Sequence, residues 1–193
     1  MQSSDSAVLN LASLLQHSPG QPSEVSAEGL LTPAPELLEA DGIRLKEPLR
    51  WRLTVMNAGG DDDFVLEGAV EGTVIMECRR CLTDVDTKVR TTFVYPMEYR
   101  PSDLPLVLDE DSKEGDDELL IFGSFAVDFS AFLTELVAIE LPITAVCRPG
   151  CLGLDENGVN LNEHPELAPK RKPQVVTEGV SPFAALKDID ISA

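Results

Sequence analysis

The sequence predicts an α+β domain: an antiparallel β-sheet with a cysteine hook at a strand connection, one main helix and short terminal helices. Three observations carry that expectation. Three consecutive segments alternate apolar and polar residues at period two, one later segment repeats apolar residues at helical spacing, and the strand patterns run together instead of interleaving with helices. Alternating βαβ units are therefore not expected.

Val8, Leu11, Leu14 and Leu15 fall at helical spacing before Pro19-Gly20, which predicts a short amphipathic first helix docked on the body. Leu49, Trp51, Leu53 and Val55 alternate with Arg50, Arg52, Thr54 and Met56, the signature of a half-buried strand. A turn over Asn57 to Asp63, with Gly59-Gly60, follows. Leu66, Val70, Val74, Met76 and Cys78 share one parity in the next strand, where Gly68 and Gly72 predict a bend or bulge. After Cys81, the odd positions from Val85 to Tyr95 alternate with charged residues in a third strand that ends at Pro96.

The stretch 101–118 holds eight acidic residues against one lysine and two prolines, too little apolar surface to fold alone, and reads as a solvated, mobile loop. Phe129, Phe132, Leu133, Leu136 and Val137 then form the stripe of the main helix, with Asp128 suited to capping its start and Pro142 to ending it. Residues 1–168 are expected to form a single domain. Residues 169–193 read as a Pro/Lys/Arg linker and a last short helix, with Ser181 as N-cap and Pro182 in its first turn.

The 34 acidic residues against 15 basic ones give a formal charge of −19, which repels phosphate backbones and attracts basic proteins. A broad, non-specific nucleic-acid binder is disfavoured. No apolar run approaches membrane-spanning length, and Met1 to Gln16 has neither a basic leader nor a small-residue cleavage site, so a cytoplasmic protein without a membrane partner is expected. With only His17 and His164 available, histidine acid–base chemistry has little to work with.

Four cysteines stand in two close pairs, Cys78 with Cys81 and Cys147 with Cys151. In a reducing compartment such pairs read as metal ligands or redox thiols before disulfides. Four thiolates complete a tetrahedral zinc shell with no open position, so the zinc role is structural, contributing roughly 10 to 16 kcal/mol of apparent binding energy to folding. Arg79, Arg80 and Arg148 lie within the two pairs, where their charge offsets that of a tetrathiolate. Two other readings stay open, a redox pair at Cys78 and Cys81, or four thiols that bind nothing. His164 lies past the second pair and reads as an exposed polar residue.

The order of these features resembles the YceD family of large ribosomal RNA subunit accumulation proteins. Cys78-Arg79-Arg80-Cys81-Leu82 is similar to that family's first cysteine hook at a strand end, and residues 128–142 to the helix leading to the second hook. Cys147 and Cys151, then Leu152-Gly153-Leu154 and Asn160-Leu161-Asn162, resemble the second hook and an Asn-Leu-Asn signature. Ser181-Pro182-Phe183-Ala184-Ala185-Leu186 is similar to the terminal motif, in which an aspartate commonly precedes the proline. The chain departs from many members at Asp155-Glu156-Asn157, where they carry two further cysteines, so a zinc site here must use the four thiols named above.

The resemblance implies a ribosome-biogenesis role, supporting accumulation of large-subunit (23S) ribosomal RNA, and relatives are often encoded beside a large-subunit ribosomal protein. A non-enzymatic factor that binds a large-subunit ribosomal protein or precursor particle is the leading expectation, with no small-molecule substrate. Direct RNA contact is the alternative, through Arg44, Arg50, Arg52, Arg79, Arg80, Lys88, Arg90 and the Lys170-Arg171-Lys172 run, with Asn160 and Asn162 as further contact candidates. A thiol redox or zinc-regulated protein is a third possibility. A Mg²⁺-dependent nuclease would need carboxylate pairs such as Asp61-Asp62-Asp63 or Asp116-Asp117, but these sit in charge-rich, turn-like stretches and read as solvated loops.

Overall fold

A computed structural model describes residues 6–16, 23–33, 38, 43–57, 63–103, 105–109 and 118–168. The predicted linker and helix at 169–193, most of the 57–63 turn, His17, Asp116-Asp117 and much of the acidic 101–118 stretch lie outside these residues.

Nine strands are present among the described residues, so the fold is mostly β with one main helix, a larger share of sheet than the three strands expected. They are β1 (Val8–Asn10), β2 (Ser23–Leu31), β3 (Arg44–Leu45), β4 (Leu49–Asn57), β5 (Asp63–Glu77), β6 (Asp84–Tyr99), β7 (Val107–Asp109), β8 (Leu119–Phe122) and β9 (Ala126–Asp128). Helix α1 is the single turn Ala12–Leu15 and α2 is Ser130–Glu140; a 3₁₀ turn covers Pro165–Leu167.

The main sheet runs β2-β4-β5-β6-β8-β7, with β3 pairing β5 beyond the end of β4. Its three expected strands are β4, β5 and β6, and they pair antiparallel as anticipated, although β6 does not end at Pro96 but continues through it, opposite Val65, to Tyr99. In β4, Leu49, Trp51, Leu53 and Val55 are buried while Arg50 and Arg52 are exposed, as alternation requires. The pairing of β6 with β8 is parallel, which makes the sheet mixed instead of purely antiparallel. The connection from residue 100 to 118 is long enough for such a crossover, and part of it forms β7, which pairs antiparallel with β8.

Two further expectations are corrected, and one strand is added. The first element is not an amphipathic helix: Val8 is exposed, Ala7, Leu9 and Leu11 are buried at period two, and β1 pairs with β9, leaving one helical turn after it. Strand β5 has no bulge at Gly68 or Gly72, because its register with β6 is unbroken from Asp63 opposite Glu98 to Glu77 opposite Asp84. Those glycines instead make room for neighbours; a Cβ on Gly68 would lie 2.5 Å from Phe93 Cζ, and one on Gly72 2.5 Å from Leu49 Cδ2. Strand β2 went unforeseen because, of its inward positions, Ser23, Val25, Ala27 and Gly29 are small or weakly apolar and only the last, Leu31, is large and buried.

Helix α2 packs on β5 and β6 through buried Leu133 and Val137, while Phe132 meets the rings of Phe93 and Tyr95 edge-on, with centroids 5.6 and 5.2 Å away. Phe129 occupies the N-cap position without a side-chain cap, and Asp128, one residue earlier, accepts the Ser130 N–H on Oδ1 at 2.8 Å; Ser130 Oγ accepts the Ala7 N–H, which ties the helix start to the first segment. The helix stops at Glu140; Leu141, before Pro142, is extended. Leu133→Ala removes a fully buried side chain between helix and sheet and is expected to cost about 2–5 kcal/mol of unfolding free energy, measured by urea denaturation; a loss under half a kcal/mol would contradict this packing.

Candidate metal centre

Strand β5 delivers Cys78 to the end of the long β5–β6 hairpin. The turn is closed by Cys78 N–H donating to Thr83 O and Leu82 N–H to Cys78 O, with Leu82 in the left-handed region at φ 58°. Cys78 also bridges in parallel to Ala145, and Arg79 N–H donates to Ala145 O, so the chain leaving α2 is laid against this turn. That chain then carries Cys147 and Cys151 around Pro149-Gly150, with Cys151 N–H donating to Arg148 O.

All four sulfurs lie within 4.8 Å of one another. Cys78 Sγ is 3.9 Å from Cys151 Sγ and Cys81 Sγ is 3.7 Å from Cys147 Sγ, both contacts running between the two loops. A tetrahedron of sulfurs bound at zinc–thiolate length has edges of about 3.8 Å, so the cluster has the size of a metal tetrathiolate. A disulfide needs about 2.05 Å, and all four cysteines are free. The four thiols predicted as ligands therefore meet at one point and could hold a metal ion.

The polar surroundings orient the sulfurs. Cys147 N–H points at Cys78 Sγ at 3.4 Å, and this contact, supported by the Arg80 and Cys81 amides, brings the Cys78 thiol down to about 6 against the opposing effect of burial. Cys147 moves the other way: desolvation of its sulfur, then the thiols of Cys151, Cys81 and Cys78, push it up to about 12. At Cys151 desolvation raises the thiol, but the Asn162 side-chain amide, the Gly153 N–H and neighbouring thiols outweigh it and lower it.

Asn162 sits at the centre of this scaffold. Its Nδ2 donates to Cys151 Sγ at 3.3 Å and to Asn160 Oδ1 at 2.8 Å, while its Oδ1 accepts from Leu152 N–H and from Arg148 Nη2. Asn160 Oδ1 also accepts the Asn162 N–H, and its Nδ2 donates to Glu163 Oε1. The two asparagines singled out as contact candidates are thus placed as scaffolding of the second cysteine loop. Spacing alone carried no signal for this; only the fold brings Asn162 to a sulfur.

Arg80 Nη1 donates to the carbonyls of Cys151 and Pro149, so it clamps the second loop to the first, and Leu154 N–H donates to Arg80 O. Gly153, at φ 82°, fits where a Cβ would stand 3.1 Å from that same carbonyl. Arg79 is exposed. His164 is exposed, paired with Glu166 at 3.2 Å and absent from the sulfur cluster.

The other basic candidates lie elsewhere. Arg50, Arg52, Lys88 and Arg90 are exposed on the sheet face away from α2, apart from the cysteines. Glu71 stands between Arg50 and Arg90, 3.8 Å from each, and Glu28 is the cross-strand partner of Arg52. Arg44 is held 2.6 Å from Asp84. This face mixes carboxylates with its cations.

A family model described as large ribosomal RNA subunit accumulation protein YceD matches residues 66–190. The chain belongs to the YceD family. The match begins within β5 and includes all four cysteines, Asn160 and Asn162, but neither Arg50 nor Arg52. Among curated proteins, uncharacterized proteins of Mycobacterium bovis and Mycobacterium tuberculosis are 31% identical to this YceD-family chain over 105 residues, covering 54% of it and 48% of their own length. A chloroplastic YceD homologue of Arabidopsis thaliana, named as a large ribosomal RNA subunit accumulation protein, is 25% identical over 150 residues, 67% of this chain and 42% of its own. The chain thus spans about half the length of the curated relatives it matches. No solved structure matches it. No helix among the described residues is long and apolar enough to cross a membrane.

Two outcomes follow from the centre's geometry. Asn162→Ala leaves four thiols but frees the Cys151 sulfur and the loop behind it, and is expected to weaken zinc binding roughly 10- to 100-fold in competition with a chromogenic chelator; unchanged affinity would refute the orienting role. Ligation requires thiolates, and protonation competes with it. Because Cys147 retains its proton up to about 12, zinc affinity should rise at least about tenfold per pH unit between pH 6 and 9. The slope should steepen as pH falls through about 6, where Cys78 also protonates. In the metal-free chain the depressed Cys78 thiol acts in the same direction, its stabilising contribution being lost as pH drops through about 6.

Proposed function

We propose that this YceD-family chain is a non-catalytic ribosome-biogenesis factor that supports accumulation of large-subunit ribosomal RNA by binding a large-subunit ribosomal protein or precursor particle. The observation that carries this reading is the family match over residues 66–190, under a description that names that RNA. The charge of −19 supports a basic partner, since it speeds encounter with one and opposes approach to bare phosphate. The ion in the centre is zinc, because four thiolates in a tetrahedral array are soft ligands suited to it. With all four positions taken by sulfur, the ion holds two loops together and activates no water.

Direct ribosomal-RNA contact is the second reading, and it has in its favour that Arg50, Arg52, Lys88 and Arg90 share one open sheet face. Glu71 and Glu28 among those cations weaken it as a phosphate track. Affinity capture of the full chain from cells, with sequencing of bound RNA and identification of bound protein, should enrich large-subunit precursors over small-subunit ones. Equal recovery of both, or of neither, contradicts the proposal. Salt-sensitive binding of a bare large-subunit RNA fragment by the purified chain would move the second reading ahead of the first. The same purified protein should contain about one zinc per chain, and Cys78→Ser should lower that content.

A further inference from the structure

Sulfurs close enough to share an ion are also close enough to bond to one another. Cys78, Cys81 and Cys151 are buried, whereas Cys147 is exposed. Of the four, Cys147 is therefore the residue that a small oxidant arriving from solvent meets first. Its short sulfur contact, at 3.7 Å, is to Cys81 on the opposite loop. Closing that gap to disulfide length needs a shift of under about 2 Å. The Cys147–Cys151 loop has room for such a movement, since a Cβ built on Gly150 would find no heavy atom within 4 Å.

We propose that Cys147 is an oxidative modification site with Cys81 as its resolving thiol, so that a peroxide converts the cluster into a cross-loop disulfide. In the first step Cys147 attacks one oxygen of hydrogen peroxide as its thiolate, the form that zinc ligation would hold; in the metal-free chain only the small fraction left by its raised thiol reacts, so that sample is the slower one. The O–O bond breaks, hydroxide leaves, and the sulfur becomes a sulfenic acid. In the second, the Cys81 thiolate attacks that sulfur, the S–O bond breaks and a second hydroxide leaves. Two thiolates and one peroxide thus give one disulfide and two hydroxides. Each sulfur gives up one electron, and the O–O bond takes both.

The pairing differs from the one that spacing alone offers, Cys78 with Cys81, because the contacts at 3.7 and 3.9 Å both run between loops. A bond within one hook would leave the hairpin turn and the chain after α2 joined only by their hydrogen bonds. A Cys81–Cys147 bond joins them covalently at the point where the ion would hold them. Oxidation therefore removes two ligands, releases the ion and keeps the two loops tied, and a thiol reductant reverses it.

This inference rests on the geometry of the cluster and not on the ribosomal reading, so its failure leaves that reading standing. The test uses the full wild-type chain in two samples, one loaded with zinc and one stripped by chelator, each treated with increasing hydrogen peroxide up to a molar excess. Disulfides are mapped by non-reducing proteolysis and mass spectrometry, and free zinc is followed with a chromogenic chelator. The expected first product is Cys81–Cys147 in both samples, with zinc release rising in step in the loaded one and dithiothreitol restoring four thiols. A first product within either pair, irreversible oxidation of Cys147 without a disulfide, or a cluster inert to excess peroxide would overturn the proposal.

Discussion

Convergence of four sulfurs from two distant stretches of chain is the constraint on which the C-terminal half of the described structure depends. Among the described residues beyond α2 the backbone has almost no regular structure, only isolated bridges, turns and one 3₁₀ turn. Few of its residues are buried, chiefly Leu141, Ala145, Cys151 and Leu161. Such a stretch gains little from apolar burial to set against the entropy of ordering it. The sulfur cluster, packed among the described residues with Val85 and Leu154, stands where a second core would otherwise be needed. An ion held there would supply the stabilisation that surface area does not.

Sheet and helix explain how the two halves of that cluster come to one place. The paired strands β5 and β6 form an uninterrupted hairpin that carries the first cysteine turn well past the end of β4, with β3 covering the gap beside it. Helix α2 lies on this hairpin, fixed by Leu133, Val137 and the ring contacts of Phe132, so its C-terminal end has a set position. Pro142 then turns the chain out of the helix, and the bridge between Cys78 and Ala145 starts the second loop. Core packing thus sets the distance between the cysteine pairs before any ion enters.

Charge acts on a different scale from these contacts. The excess of carboxylates shapes the field felt by an approaching partner, while the individual ion pairs, such as Arg44 with Asp84, are exposed and contribute little to stability. Arginines within the cysteine loops behave otherwise. Arg80 and Arg148 spend their donors on carbonyls of the second loop and on the Asn162 amide oxygen, so they act as fasteners, and whatever charge compensation they give a tetrathiolate comes with that task.

Period-two alternation from Leu49 onward, the apolar stripe behind Asp128 and the stop at Pro142 were legible because each is a local pattern whose burial the sequence itself encodes. The spacing of the cysteines likewise announced two short hooks with metal-ligand chemistry. Less was legible where a neighbour decides the outcome. Val8 to Leu15 fits a helix by spacing, yet pairing of β1 with β9 buries the alternate residues instead. Strand β2 has too few apolar side chains to betray itself and is specified by β4. The residues by themselves therefore determined the sulfur inventory, the three central strands and the main helix. Tertiary structure alone decided the mixed sheet, the closure of four sulfurs to within 4.8 Å and the turn of Asn162 toward Cys151, because each depends on contacts between residues too far apart in sequence for any local pattern to record.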